Sequence, residues 1–203
     1  MYIVFEGVDT SGKTTQINLL KKRYEDAIIT KEPGGTSAGV KIRELLLKGE
    51  VKSPLSEMFL FLADRAELIA EIIKPNTNAL ILSDRSFISG IAYAKSADKL
   101  ELSLDEIIKI NSYALDGILP DLVFLFIVNE ETISKRLGAK ELDAIEKRGI
   151  KYLLKVQDYM REITKKMKLK TVEIDASKSV EDIYEGIIRY IGDKEAWGNI
   201  VYD

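Results

Sequence analysis

Short apolar runs alternate with longer amphipathic segments along the 203 residues of the chain. Apolar runs of about four to eight residues that are rich in branched and aromatic side chains are typical of buried strands. Five runs are predicted to be strands: Tyr2 to Phe5, Ala27 to Thr30, Ala79 to Ser83, Leu122 to Val128 and Thr171 to Ile174. Helix-length segments separate them, which is the pattern of a parallel sheet covered by helices on both faces.

The two ends of the chain carry the clearest helix signals. After the first predicted strand, Ile17, Leu20 and Tyr24 recur at helical spacing, so a helix should begin within GKTTQINLLKKRY. Near the other end, Ser179 has the position of an N-cap and precedes two acidic residues of a first turn. The apolar stripe of this last helix, which we expect to lie in the core, consists of Ile183, Ile187, Tyr190 and Ile191.

The composition narrows the chemistry that the chain can use. Neither cysteine nor histidine occurs, so disulfides, thiolate metal sites and histidine bases are excluded. The formal charge of -3 gives no global basic surface, and we expect no nucleic-acid partner. Any catalysis must therefore depend on carboxylates, cations and a bound metal.

The hydrophobic pattern predicts neither a membrane segment nor an export signal. The longest unbroken apolar run, Leu122 to Val128, is far shorter than the roughly 20 residues that cross a bilayer. The N-terminus lacks a basic region, and Glu6 interrupts its first apolar run, unlike a signal peptide. We therefore expect one domain over residues 1–203, located in the cytoplasm and without a membrane partner.

The sequence GVDTSGKT, between the first predicted strand and helix, fits the phosphate-loop pattern G-x-x-x-x-G-K-[ST]. Glycines let backbone N–H groups surround a phosphate, and the helix N-terminus adds a favourable dipole. Lys13 would reach the outer phosphates, and Thr14 would ligate Mg²⁺. The alternative is a plain glycine turn, but the full match in its strand-to-helix context favours a nucleoside triphosphate. The predicted ATP-binding loop consists of Gly7, Val8, Asp9, Thr10, Ser11, Gly12, Lys13 and Thr14.

Three further segments carry candidate chemistry. KEPGGT, residues 31–36, follows the second strand and by itself fits a tight loop as well as a binding site. In FLADRAE, Phe61 and Arg65 lie four residues apart on one helical face, where they could stack a base and bind a phosphate; core plus surface is the commoner reason. Asp84 and Arg85 end the third strand, at the sheet edge where ligands bind. An acid for Mg²⁺ and an arginine for a transferring phosphoryl group are both needed there.

In this order and spacing, the segments resemble the thymidylate kinase family. The match includes FEGVDTSGKTTQ, KEPGGT, IRELLL, FLADRAE and DRSFISGIAY, and continues through LVFLFIV and SKRLGAKELDAIE to about Glu146. The resemblance implies an α/β, three-layer P-loop NTPase fold with a five-stranded parallel sheet flanked by helices. It also implies that the chain phosphorylates dTMP to dTDP with ATP and Mg²⁺, and that it forms a homodimer.

The resemblance also implies roles for residues of an acceptor site. Arg65 and Arg85 would hold the acceptor phosphate, and Phe61 would stack on thymine. Ser89 and Tyr93 would lie beside the base and the deoxyribose, where the tyrosine would crowd a ribose 2′-OH. The implied dTMP-binding set is Asp9, Glu32, Pro33, Arg43, Phe61, Arg65, Arg85, Ser89 and Tyr93.

Residues 134–148, SKRLGAKELDAIEKR, favour a solvated helix pair by composition, but they take the position of the family's lid. The resemblance places Arg136 against adenine. Ala144 stands where bacterial relatives have a lid arginine, so we assign the catalytic lid cation to Lys140, with Arg148 as the alternative. The implied catalytic set is Asp9, Lys13, Arg85 and Lys140, and the implied metal ligands are Thr14 and Asp84.

Two alternative functions remain open at this point. One is a P-loop kinase that acts on another nucleotide or on a deoxynucleoside, and the other is a non-catalytic module that binds ATP. Phe61, Arg65 and Arg85 favour an acceptor monophosphate, because a nucleoside brings no phosphate to bind. A binding module would need neither those cations nor a lid.

The expected homodimer has a candidate surface in the sequence. The helical segments around Met58 to Ile72 and Ile107 to Leu119 carry more apolar residues than one core-facing stripe requires. The excess residues in the first segment are Phe59, Leu60 and Leu62.

Overall fold

Five parallel strands form one sheet in the computed structural model, which describes residues 1–137 and 149–192. The strands are β1 (Tyr2–Glu6), β2 (Ile28–Lys31), β3 (Ile81–Asp84), β4 (Leu122–Ile127) and β5 (Thr171–Asp175). Their order across the sheet is β2-β3-β1-β4-β5, and each neighbouring pair is parallel. All five predicted strands are confirmed, with ends displaced by one or two residues at most.

Eight α-helices connect or follow the strands within the described ranges. They are α1 (Lys13–Arg23), α2 (Ser37–Leu47), α3 (Pro54–Leu68), α4 (Phe87–Ser96), α5 (Leu104–Leu115), α6 (Glu130–Leu137), α7 (Ile150–Lys166) and α8 (Val180–Ile191). A π-helical turn at Ile69–Ile73 and a 3₁₀ turn at Lys74–Asn76 extend α3. The lid predicted over residues 134–148 falls outside the described residues from residue 138 onward, as does the segment after residue 192.

The helices cover the sheet in two layers. The connection from β1 to β2 runs toward one edge of the sheet, whereas those from β2 through to β5 run toward the other. Because parallel crossovers are right-handed in nearly all proteins, this reversal places their helices on opposite faces. Accordingly, α1 packs against α8, while α3, α4, α5 and α7 pack against one another. The predicted three-layer α/β fold is confirmed.

The core lies where the central strands are covered from both sides. Every residue of β1 is buried, and β4 is buried along nearly its whole length. The ring of Phe5 lies 5.4 Å from that of Phe124 across this pair of strands. Glu6, at the end of β1, is the one charged residue of this strand, and its carboxylate is fully buried.

The strand register brings the predicted chemistry to one edge of the sheet. Phe5 of β1 pairs with Asp84 of β3, so the phosphate loop and the Asp84-Arg85 pair leave the sheet side by side. Arg85 has a left-handed backbone with φ of 72°, which is uncommon for a residue with a side chain. The direction of the connections also reverses between β1 and β3. Ligands of parallel sheets bind in the crevice beyond the carboxyl ends of the strands at such a point.

The last helix follows its prediction except at one residue. Ser179 caps α8 by accepting a hydrogen bond from the backbone N–H of Asp182 at 3.0 Å. Ile183, Ile187 and Ile191 are buried, but Tyr190 is 54% exposed, so its assignment to the buried stripe was wrong. The three isoleucines are spaced by four residues along one line of the helix, and Tyr190 lies at the margin of that line. Its ring packs edge-on against Phe124 with a centroid distance of 6.1 Å.

No helix within residues 1–137 and 149–192 combines the length and the hydropathy that crossing a membrane requires.

Candidate active site

The phosphate loop closes around the side chain of Lys13, the first residue of α1. The ammonium group donates to the carbonyls of Gly7 and Val8, both at 2.9 Å, and to the hydroxyl of Ser11 at 3.1 Å. Gly7 is required here, because a Cβ at this residue would lie 2.9 Å from the carbonyl oxygen of Phe126. The loop is therefore packed tightly against β4 and holds its lysine in place.

The charge of Lys13 is unusual for a lysine. Burial, reinforced by the nearby guanidinium of Arg85, lowers the pKa of Lys13 to about 7. The carboxylates of Asp84, Asp9 and Glu6 oppose that change without cancelling it. An anionic ligand would supply the missing negative charge and favour the protonated form. Lys13 is thus a cation whose charge depends on what the loop binds.

Arg85 crosses from the end of β3 to the phosphate loop. One nitrogen, Nη1, donates to the carbonyl of Gly7 at 3.0 Å and to the hydroxyl of Ser89 at 2.9 Å. The other, Nη2, pairs with Asp9 at 2.5 Å. The guanidinium also lies 5.5 Å from the ring centroid of Tyr93. These contacts place the predicted residues Asp9, Arg85, Ser89 and Tyr93 in one cluster.

Asp9 connects the loop to this cluster. Its second oxygen accepts a hydrogen bond from the hydroxyl of Tyr93 at 3.3 Å. Burial alone would raise the pKa of Asp9, but Arg85 and Lys13 outweigh burial and lower it. Asp9 is therefore an ionised carboxylate that anchors both Arg85 and Tyr93.

Two oxygen ligands suited to a hard cation face each other at the start of α1. The hydroxyl of Thr14 donates to Asp84 Oδ2 at 2.6 Å. Hydroxyl and carboxylate oxygens are the protein ligands that Mg²⁺ accepts, and it commonly takes its remaining ligands from phosphates and water. Within residues 1–137 and 149–192, no cluster of three or more acidic side chains could hold a metal by itself. The pair fits a Mg²⁺ ion that arrives with a nucleotide.

The EPGG segment forms another wall of the site. Gly34 has φ of 101°, and a Cβ there would lie 2.8 Å from Cδ of Arg43. Arg43 can therefore lie across the loop, where it donates to the carbonyl of Pro33 at 3.0 Å. From α3, Asp64 accepts a hydrogen bond from the backbone N–H of Gly34 at 2.8 Å. Gly34 thus lets the side chain of Arg43 pack closely against the loop.

Arg65 lies behind this wall rather than on its surface. It is 1% exposed, forms an ion pair with Glu32 and donates a hydrogen bond to Asn111. Burial raises the pKa of Glu32 to about 7, although Arg65 opposes the rise. Phe61, four residues earlier on α3, is half-buried. In this arrangement Arg65 holds Glu32 in place, although the sequence suggested that it grips a phosphate.

A cavity of about 460 Å³ lies between these groups. It is lined by Asp9, Thr10, Gly12, Lys13, Thr14, Thr15, Lys31, Glu32, Arg43, Asp84 and Arg85. Ser89 and Tyr93 stand behind Arg85 and Asp9, whereas Phe61 and Arg65 are not in the lining. Lys140 lies outside the described residues. A cavity of this size is suited to a small-molecule ligand.

Arg136 sits at the outer side of the phosphate loop. It donates to the carbonyl of Thr10 at 2.8 Å and to that of Ala176, after β5, at 2.6 Å. This side chain bridges the loop to the segment that precedes α8.

Sequence reasoning assigned no role to Thr15, Lys31 or Glu6. Lys31 belongs to the KEPGGT segment, so its place beside Glu32 could have been found from that motif. Glu6 carried a further signal, since a carboxylate within a buried apolar strand needs hydrogen-bond partners. The sequence does not identify the hydrogen-bond partners of Glu6, which come from a distant part of the chain.

The phosphate loop, Asp84 and Arg85 meet at the carboxyl ends of β1 and β3. A phosphate loop after the first strand, an acid beside the loop threonine and two cations converging on Gly7 are the features of a P-loop phosphotransferase.

The comparisons with known proteins identify the family. The thymidylate kinase family matches residues 5–187. Thymidylate kinase from Aliarcobacter butzleri is 48% identical over 194 residues, which cover 96% of this chain and 100% of that protein. The one from Campylobacter curvus is 49% identical over 193 residues, covering 94% and 99%.

A solved structure agrees with this assignment. The crystal structure of thymidylate kinase from Ehrlichia chaffeensis superposes with a TM-score of 0.72 at 28% identity, covering 94% of this chain and 97% of that one. The chain therefore belongs to the thymidylate kinase family. It is a phosphotransferase that uses ATP to convert dTMP to dTDP.

Proposed function

We propose that the phosphates of ATP and dTMP meet in the 460 Å³ cavity, with the triphosphate on residues 7–14 and the acceptor phosphate beside Arg85. The convergence of two cations carries this proposal. Lys13 and Arg85 come from different elements, yet both donate to the carbonyl of Gly7, at 2.9 and 3.0 Å. A phosphoryl group that moves from donor to acceptor here passes between two positive charges.

The mechanism follows from charge and position. Phosphoryl transfer needs in-line alignment and neutralisation of charge on the equatorial oxygens more than it needs covalent help from the protein. Lys13 now binds neutral loop carbonyls, which incoming phosphates would replace with anionic acceptors, whereas Arg85 would keep its pair with Asp9 and bind phosphate through its remaining N–H groups. Asp9 would retain Tyr93 and keep the acceptor side of the site in place.

Thr14 and Asp84 would hold Mg²⁺ together with the phosphates of the nucleotide. When bound, the metal supplies additional positive charge beside the transferring group. The chain's part is to present the hydroxyl and the carboxylate within 2.6 Å of each other before the nucleotide arrives.

Further residues would shape the acceptor pocket. Arg43 lines the cavity and adds positive charge for the dTMP phosphate, while Glu32 and Pro33 form the adjoining wall. Phe61 would stack on thymine, and Ser89 and Tyr93 would flank the base and sugar. We place Arg65 behind this wall, where its contribution is to fix Glu32.

The lid would complete the site. Arg136, which bridges Thr10 and Ala176, would contact the adenine of ATP, since it lies beside the loop and the segment after β5. Lys140, outside the described residues, would bring the remaining cation to the transferring phosphoryl. We further propose that the protein works as a homodimer in the cytoplasm, where its nucleotide substrates are found.

The experiment that tests this function is a coupled assay of ADP release from ATP. It uses a panel of dTMP, dUMP, AMP, CMP and thymidine as acceptors. We expect dTMP to be phosphorylated with a higher kcat/KM than AMP or CMP, and thymidine not to be phosphorylated, because it brings no phosphate for Arg85 and Arg43. Equal or better turnover with AMP, CMP or thymidine would contradict the proposal.

A further inference from the structure

Glu6 is a buried carboxylate for which the mechanism above has no use. It is the last residue of β1, paired in register with Leu125 of β4 and without solvent exposure. Burying a carboxylate is costly unless it is hydrogen-bonded. A site that retains one at the centre of the sheet, directly before the phosphate loop, therefore needs a physical reason.

The partners of Glu6 come from the start of α4. The hydroxyl of Ser86 donates to Oε1 at 2.6 Å, and the backbone N–H of Ser89 donates to the same oxygen at 3.4 Å. The hydroxyl of Ser89 donates to Oε2. Arg85 and Lys13 also lie near enough for their charges to oppose the rise in pKa that burial causes.

Ser89 connects this carboxylate to Arg85. Its hydroxyl proton points to Glu6, so its oxygen is left to accept the hydrogen bond from Arg85 Nη1 at 2.9 Å. The result is a chain of hydrogen bonds from a rigid central strand to a flexible guanidinium. An arginine at a phosphate site must be held to within about half an ångström, and such support comes from neighbours that are themselves fixed.

We propose that Glu6 is a positioning residue of the transfer site, which orients the guanidinium of Arg85 through the hydroxyl of Ser89. The inference rests on the proposed role of Arg85. The named bonds use both N–H groups of Nη1 and one of Nη2, so within the described part of the chain donors remain for a phosphate. Glu6 itself touches neither substrate.

The conservative variant Glu6→Gln breaks this arrangement without changing its size. A carboxylate only accepts hydrogen bonds, whereas an amide presents an NH₂ group on one side. The Oε1 position also accepts from the backbone N–H of Ser89, which cannot reverse, so the NH₂ group takes the Oε2 position and faces the Ser89 hydroxyl, whose hydrogen bond must reverse or be lost. The variant also removes the negative charge that faces Arg85.

A purely structural role is the competing explanation. Ser86 is the N-cap of α4, and Glu6 also accepts from the backbone of its first turn, so Glu6 could serve only to stabilise that helix. Ser86→Ala separates the two explanations. It removes the cap and its hydrogen bond to Glu6, but leaves the connection from Glu6 through Ser89 to Arg85.

The experiment measures kcat, KM for dTMP, KM for ATP and thermal stability in a series of variants. For Glu6→Gln and for Ser89→Ala we expect kcat/KM for dTMP to fall about tenfold, while KM for ATP changes less than about twofold. The kcat/KM for dTMP of the double variant should lie within about twofold of that of the less active single variant, because both changes break the same connection. Ser86→Ala should lower the melting temperature and leave kcat/KM within about twofold of wild type.

Three outcomes would overturn the inference. The first is a fall in kcat/KM in the double variant that equals the product of the two single falls, which would mean that Ser89 and Glu6 act separately. The second is a loss in Ser86→Ala equal to that in Glu6→Gln, which would mean that helix capping explains the effect. The third is wild-type kcat/KM in Ser89→Ala, which would overturn the inference even if Glu6→Gln does not fold.

Arg85→Gln in the same series keeps this inference separate from the proposed function. If Arg85→Gln retains wild-type kcat/KM, the proposed role of Arg85 fails, and the inference fails with it. If Arg85→Gln loses activity while Glu6→Gln keeps it, the role of Arg85 stands and only the inference is overturned.

Discussion

Lys13 shows at the scale of a single residue how the phosphate loop is suited to an anion. Burial and the nearby Arg85 lower its pKa to about 7, so in mildly alkaline solution the amine loses its proton far more readily than an ordinary lysine. The triphosphate of ATP brings negative charge beside the amine and raises the pKa again. Binding should therefore take up a proton from solution.

We predict that ATP binding at pH 8 is accompanied by uptake of roughly half a proton or more per site. Titration calorimetry in two buffers with different ionisation enthalpies measures this number directly. Lys13→Met is the matched control and should show no such uptake, at ATP concentrations high enough to saturate it. The same uptake in both proteins would mean that another group titrates.

The partners of Arg65 and Glu6 mark the limit of sequence prediction at this scale. The motif FLADRAE placed Arg65 near the site, but Glu32 and Asn111, which bind it, lie 33 and 46 residues away. Hydrogen bonds between distant segments depend on tertiary packing, which a helical spacing does not encode. The phosphate loop could be predicted because its functional groups are close in sequence. Its two glycines, lysine and threonine all lie within residues 7–14.

At the scale of elements, the strands could be predicted because each is an apolar run between turn residues. Helix α8 was predicted equally well except at the margin of its buried face. There, periodicity alone could not distinguish Tyr190 from its buried neighbours. Ile187 of this helix is fully buried, whereas Tyr190 is 54% exposed. This difference can be measured.

We predict that Ile187→Ala lowers the free energy of unfolding by about 2–5 kcal/mol, because it leaves a cavity between α8 and the core. Tyr190→Ala removes a larger side chain but should cost less than about half as much, since that side chain is largely in solvent. Urea denaturation of both variants gives the comparison. Equal losses would show that Tyr190 belongs to the core after all.

We predict that the lid supplies a cation that acts mainly in the transition state. The phosphate loop has no arginine between Gly7 and Lys13, so a further cation must come from outside it. Lys140→Ala should lower kcat much more than it raises KM for dTMP, because the interaction is needed mainly in the transition state. Arg148→Ala is the control. If kcat of Lys140→Ala stays within about threefold of wild type while Arg148→Ala loses activity, the catalytic cation is Arg148.

At the scale of the whole molecule, α3 and α5 pack side by side and leave apolar side chains in solvent. Phe59 is 53% and Tyr113 is 77% exposed. Exposed apolar groups that cluster on one face are typical of protein interfaces. This surface is our candidate for the homodimer interface. The single domain over residues 1–203 stays a prediction.

We predict a particle of twice the 22.9 kDa of one chain in light scattering at micromolar concentration. Phe59→Asp should yield monomers, because it places a charge in the proposed interface. Val180→Asp, an equally simple change of an exposed apolar residue on the opposite helical layer, should leave the dimer intact. A wild-type monomer, or dissociation by both variants alike, would argue against this surface.

The central claim is that Lys13 and Arg85 stabilise a phosphoryl group as it passes from ATP to dTMP. The most direct measurement is kcat for dTMP phosphorylation by Lys13→Met, with circular dichroism to establish that the fold is retained. We expect a native spectrum and a loss of about a hundredfold or more in kcat, because the ammonium is removed from the loop while the backbone that surrounds it remains. A folded variant that keeps more than about a tenth of the wild-type kcat would contradict the claim.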